Sequence, residues 1–129
     1  MIAPSLESIE ALAHDAWNAV PESFRARVGP LVFRIEDLPS DEVLEELGID
    51  DPFGLTGLYS GVDLTQRSLT DPALPPAMVF LYRRAILDEW IERGDVSLHA
   101  LVAHVLVHEI GHHFGLSDEA MDALLDSEP

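Results

Sequence analysis

The chain contains no cysteine and no lysine. Without cysteine it can form no disulfide, and any metal it binds must be held by histidine and carboxylate. Without lysine its seven basic residues are all arginine, set against 24 acidic ones, for a formal net charge of -17. A field of that sign repels phosphate and anionic lipid headgroups, which excludes nucleic acid and membranes as partners. The plain meaning of such a charge is solubility, and its functional reading is a preference for basic substrates or partners. No apolar run approaches the length of a membrane span. The first ten residues, Met1 to Glu10, carry two glutamates and no positive segment. They do not read as a secretory signal, so the expected location is cytoplasmic.

What is present is a globular composition, 47% hydrophobic over 129 residues. That length supports one domain with a small core, and neither a repeat nor a linker divides residues 1–129. Helical spacing of Leu6, Ile9, Ala13, Ala16, Trp17 and Val20 predicts a helix from Ser5 to about Val20. Glu22 to Val28 predicts a helical turn, broken by Gly29-Pro30. Leu31 to Glu36 is rich in β-formers and predicts a strand. Ser40 to Leu47 predicts a short acidic helix stopped by Gly48. A turn-rich loop follows over Asp50 to Gly57. Leu58 to Leu64 predicts a second strand with Gly61 as a bulge, Asp71 to Pro76 an extended loop, and Met78 to Tyr82 a third strand. Helices are expected at Arg84 to Arg93, from Asp95 or Ser97 to Phe114, and from Asp118 to about Asp126. The predicted class is α+β, with a small mixed sheet of about three or four strands packed on one long helix.

That long helix carries the chemistry. His108 to Asp118 reads H-E-x-x-H-x-x-G-x-x-D. Residues four apart share a helix face about 6 Å apart along the axis, so His108 and His112 can address one metal ion. Gly115 lets the chain leave the helix with positive φ, and the turn can bring Asp118 back as a third ligand. Two histidines and one aspartate leave a fourth position open, the mark of a catalytic zinc site, with one zinc per chain. Glu109, beside the first ligand, is placed to act as general base on a water there. The helix around them is apolar, so histidine and glutamate inside it need partners.

In this motif the chain resembles the zincins, and among them metzincin-type peptidases in which aspartate replaces the third histidine. Over most of its length it resembles a family of small bacterial zincin-like metallopeptidases with a minimal matrix-metalloprotease-like fold. Asp51 to Tyr59 and Val79 to Arg84 are similar to segments of that family, and the resemblance loosens before about Pro30. It implies a zinc-dependent peptidase in which a strand bordering the cleft, Met78 to Tyr82 or a neighbour, aligns an extended substrate through main-chain hydrogen bonds. Met121 comes only three residues after Asp118, on an expected helix. It reads as core packing, so the chain departs from the metzincin pattern in its Met-turn.

The neighbouring polar residues read more plainly. His104, one turn before His108, is expected to pack or hydrogen-bond rather than ligate. His113 lies about 100° around the helix from His112 and is not expected to ligate. His14 and His99 are expected at the surface or as capping residues, and Asp122 either as a partner of the metal ligands or simply in solvent. Tyr59, Tyr82 and Arg83 are candidate oxyanion or substrate contacts. Aspartate in place of a neutral third histidine should weaken the zinc as a Lewis acid and slow hydrolysis. Two other readings stand beside the peptidase: a zinc enzyme cleaving another amide, and a non-enzymatic interaction domain with a vestigial or structural metal site. Glu109 separates the enzymes from the clamp, because a structural site has no use for a general base.

Overall fold

The computed structural model describes residues 3–60 and 77–126. In chain order these form α1 (Leu6–Ala19), α2 (Glu22–Val28), β1 (Leu31–Glu36), α3 (Asp41–Leu47), β2 (Gly57–Ser60), β3 (Ala77–Tyr82), α4 (Arg83–Arg93), α5 (Leu98–His113) and α6 (Asp118–Asp126). The α+β class follows directly. Within the loop before β2, Pro52–Gly54 makes one 3₁₀ turn, capped by the Asp51 side chain.

The helix starts obey capping chemistry. The hydroxyls of Ser5, Ser40, Ser97 and Ser117 each accept a hydrogen bond from the backbone N–H three residues on. Each thereby satisfies one of the donors that a helix start leaves without a partner. Burial then orders the layers. α5 buries Leu101, Val102, Val105, Leu106, Val107 and Ile110, which cover most of its circumference. A helix that apolar must be surrounded. It packs against α1 on one side, the sheet on another and α6 at its C-terminal end. α1 turns Ile9, Ala13, Ala16 and Trp17 inward to meet it.

The sheet has the order β1-β3-β2 among the described residues. β1 runs parallel to β3, from Leu31 opposite Ala77 to Glu36 opposite Tyr82. β2 runs antiparallel, with Gly57 opposite Leu81 and Ser60 opposite Met78. β3 is therefore the central strand, with both edges hydrogen-bonded, and cannot take up another chain. Of the strands expected to border a cleft, β3 is thus paired on both sides, and its two neighbours, β1 and β2, are the edge strands among the described residues. The expected continuation of β2 over Gly61 to Leu64, and the expected loop from Asp71 to Pro76, lie outside the described residues.

One expected substrate contact is committed elsewhere. Arg83 Nε donates to the Pro4 carbonyl at 2.6 Å and its Nη1 to Asp37 at 3.1 Å. Through these two nitrogens it straps the N-terminal segment and the end of β1 onto α4.

Candidate metal centre

The site is assembled where α5 ends. His108 and His112 share a face of α5, their ring centroids 5.7 Å apart and nearly perpendicular. The helix then closes with a glycine stop. Gly115 has φ 72°, the left-handed conformation that a side chain makes costly. Its N–H donates to His112 O at 3.1 Å, and Leu116 N–H donates to Gly111 O at 2.9 Å. This Schellman pairing satisfies the last carbonyls and reverses the chain within a few residues. Ser117 then caps α6, and Asp118 is its first residue. A carboxylate there is favoured by the positive end of the helix dipole.

The outcome is that donor atoms of His108, His112 and Asp118 all lie within 4.8 Å of one another. His108 Nε2 is buried, and no described residue hydrogen-bonds to it. A buried imidazole nitrogen left without a partner costs free energy, which a metal ion would recover. The donor set of two imidazoles and one carboxylate suits zinc. On these grounds the residues fit a metal ion.

Glu109 sits just off this cluster, beneath the sheet edge. A Cβ built on Gly57, the first residue of β2, would lie 3.1 Å from Glu109 Cγ, 3.0 Å from Val105 Cγ1 and 3.2 Å from the Phe80 carbonyl. Only glycine lets the edge strand pass this close over the glutamate stem. Burial raises the Glu109 carboxyl above the usual glutamate range, opposed in part by His112. Such a shift moves a carboxyl toward the working range of a general base. Tyr82 is almost fully buried, and its hydroxyl is pushed up to about 12 by burial and by the Glu36 and Glu109 charges. It remains a neutral phenol within electrostatic reach of Glu109.

Of the sequence-predicted site residues, the fold brings together His108, Glu109, His112 and Asp118. His104 packs, as expected, but against the donor cluster: its ring stacks on His108 at 3.9 Å. Burial and the neighbouring His108 lower its pKa, favouring the neutral ring. His113 turns to the Tyr59 ring, 4.8 Å away, and is no part of the donor group. Tyr59 is buried between the His113 and Phe114 rings. His14 and His99 are exposed.

Three site features go beyond what the sequence decides. Asp122 is solvent-facing as expected, yet its carboxylate reaches within 4.0 Å of His108 Nε2. Gly57 and Gly111 allow two close approaches. A Cβ on Gly111 would meet Met121 Sδ at 2.5 Å and Cγ at 2.7 Å, so α6 can dock only because this motif position is bare. The available signal was a glycine inside a helix, where it costs about 1 kcal/mol relative to alanine and so calls for a packing reason. Met121 is itself fully buried, a core residue as its position on a helix suggested.

Comparison with known families decides the identification. The family model for zincin-like metallopeptidases matches residues 28–127. This chain belongs to the zincin-like metallopeptidase family. The match runs from the end of α2 through β1 to α6 and so contains the entire donor cluster, Glu109 and the edge strand. Within this zincin-like chain, α1 lies outside the matched region although it supplies much of the core behind α5. No curated protein matches the chain. Among the described residues, no helix is long and apolar enough to cross a membrane.

Proposed function

We propose that this chain, folded as one domain, is a zinc-dependent peptidase in which His108, His112 and Asp118 hold one zinc ion and Glu109 is the general base. The observation that carries this reading is the convergence of the three donor sets within 4.8 Å, with His108 Nε2 buried and unpartnered among them. When bound, the ion supplies Lewis-acid polarisation of a carbonyl and acidification of a water to a pKa of roughly 7.

The chain's own residues do the rest. Glu109 stands next to a ligand in sequence, outside the donor cluster and with its carboxyl pKa raised by burial. It accepts a proton from the attacking water at its carboxylate and returns that proton to the departing amine. β2 is at the sheet edge, with no described strand beyond it, and its first residue overlies Glu109. An extended peptide hydrogen-bonded along β2 would therefore lie over the base, held by main-chain contacts indifferent to sequence. Asp118, Glu119 and Asp122 line the start of α6 beside the donors. With a net charge of -17 behind them, they favour basic peptides as substrates.

Glu109→Gln tests the assignment. It keeps size and hydrogen-bonding capacity while removing the base. The variant should retain one zinc per chain and its fold, and lose at least about 10²-fold in cleavage rate on a library of extended basic peptides. Equal cleavage by both proteins would remove Glu109 from the mechanism. Absence of cleavage by zinc-loaded wild type across a broad library would favour an interaction domain with a structural metal.

A further inference from the structure

α6 offers a second carboxylate to the metal centre. Asp122 lies four residues after Asp118, on the same face of the helix. Rotation of α6 is set by its apolar side: Met121 is fully buried against Gly111, and Leu124 and Leu125 pack on the core. With that side pinned, Asp122 Oδ1 comes to 4.0 Å from His108 Nε2. The gap is informative. It is too long for a hydrogen bond, which needs about 3.2 Å or less, so neither atom satisfies the other. Two donors on one tetrahedral zinc ion stand about 3.4 Å apart at the usual zinc–ligand distances, a little less than this gap, and the exposed Asp122 side chain, outside the group formed by His108, His112 and Asp118, has room to close it.

We propose that Asp122 is a fourth metal-binding side chain, contributed by α6 one turn beyond Asp118. It can play this part only if His108, His112 and Asp118 hold the metal, as proposed above. The donor set then becomes two neutral imidazoles and two carboxylates, whose charges balance a divalent cation. Two consequences follow for the resting protein. The metal is held more firmly than three donors would hold it, and a protein carboxylate competes with water for the open position. Asp122 is two-thirds exposed, so its side chain can swing out when a substrate carbonyl arrives. The residue thereby restrains hydrolysis until the cleft is filled, without any added segment.

The test is metal binding rather than turnover. Wild type, Asp122→Asn and Glu119→Gln are titrated with zinc against a chromophoric chelator. Each is then loaded with cobalt(II), whose visible absorption reports the number and kind of donors. Glu119→Gln removes a neighbouring charge from the same helical turn and controls for electrostatic attraction alone. Asp122→Asn should weaken zinc binding at least about tenfold and change the cobalt spectrum, whereas Glu119→Gln should leave the spectrum intact. Because Asp122 is a surface residue of α6, both variants should keep the helical circular dichroism of wild type. Asp122→Asn matching wild type in affinity and spectrum would overturn the proposal. So would weaker binding with an unchanged spectrum, since Asp122 would then act only through its charge. If His108→Ala kept a full complement of zinc, the metal reading itself would fall and this proposal with it. Loss of zinc from His108→Ala beside an indifferent Asp122→Asn would defeat the proposal alone.

Discussion

Glu109 shows what its proposed placement as general base costs at the scale of one residue. Burial raises its carboxyl pKa, with His112 opposing. The folded protein therefore holds the Glu109 proton more tightly than the unfolded chain does. For a carboxyl shifted upward, the stabilising contribution is complete below the unfolded value of about 4.3 and is lost as pH rises through the folded value. Above that folded value the metal-free fold carries an ionised, half-buried carboxylate. Metal-free Glu109→Gln should therefore melt above metal-free wild type at about pH 8, with the difference narrowing toward about pH 5. Melting curves of the two proteins at both pH values check this. A variant no more stable than wild type at the higher pH would show that the carboxylate is not penalised by the fold. The same substitution that should abolish catalysis should thus strengthen the scaffold.

At the scale of elements, the site depends on how closely α6 approaches α5. The contact is Met121 on Gly111. Alanine inside a helix normally gains about 1 kcal/mol over glycine. At this position the added Cβ would stand 2.5 Å from the sulfur of a fully buried side chain, so something must shift. Overpacking of this kind costs about 1–3 kcal/mol, enough to offset or reverse the propensity gain. Gly111→Ala should therefore lower the melting temperature and, by displacing α6 and Asp118, weaken zinc binding. Combining it with Met121→Ala should cost less than the sum of the two single substitutions, because one relieves the other. Strict additivity would mean that the sulfur–backbone contact is not the cause. The edge strand makes the corresponding approach from the other side, where Gly57 passes over Glu109.

For the whole molecule, metal and stability are linked. The proposed ligands join the end of α5 to the start of α6, and the fold around them carries a net charge of -17. Binding to the native state alone adds about 2.7 kcal/mol when free metal is 100 times its Kd. Removing a divalent cation also leaves the crowded carboxylates to repel one another. A chelator should lower the melting temperature of wild type and leave that of His108→Ala nearly unchanged, as read by thermal unfolding with metal content measured in parallel. A wild-type curve indifferent to confirmed metal loss would mean that the site forms without help from the ion.

Much of this was legible before any fold was known. Periodicity, serine caps and glycine stops marked each described helix to within a residue or two, because those signals are local and depend only on backbone hydrogen bonding. The spacing of His108, Glu109, His112 and Asp118 likewise follows from one helix and one turn, with Gly115 supplying the positive φ. The edge position of β2 was not legible, because strand order depends on which distant segments pair, and β1 and β3 are joined across more than half the described sheet's sequence span. The bare positions at Gly57 and Gly111 were equally hidden as contacts: each is a meeting of segments from different elements. Asp122 is the sharpest case. Its sequence position says only that it is one turn past a ligand, and only the seating of Met121 beneath Gly111 decides that this turn of α6 faces His108.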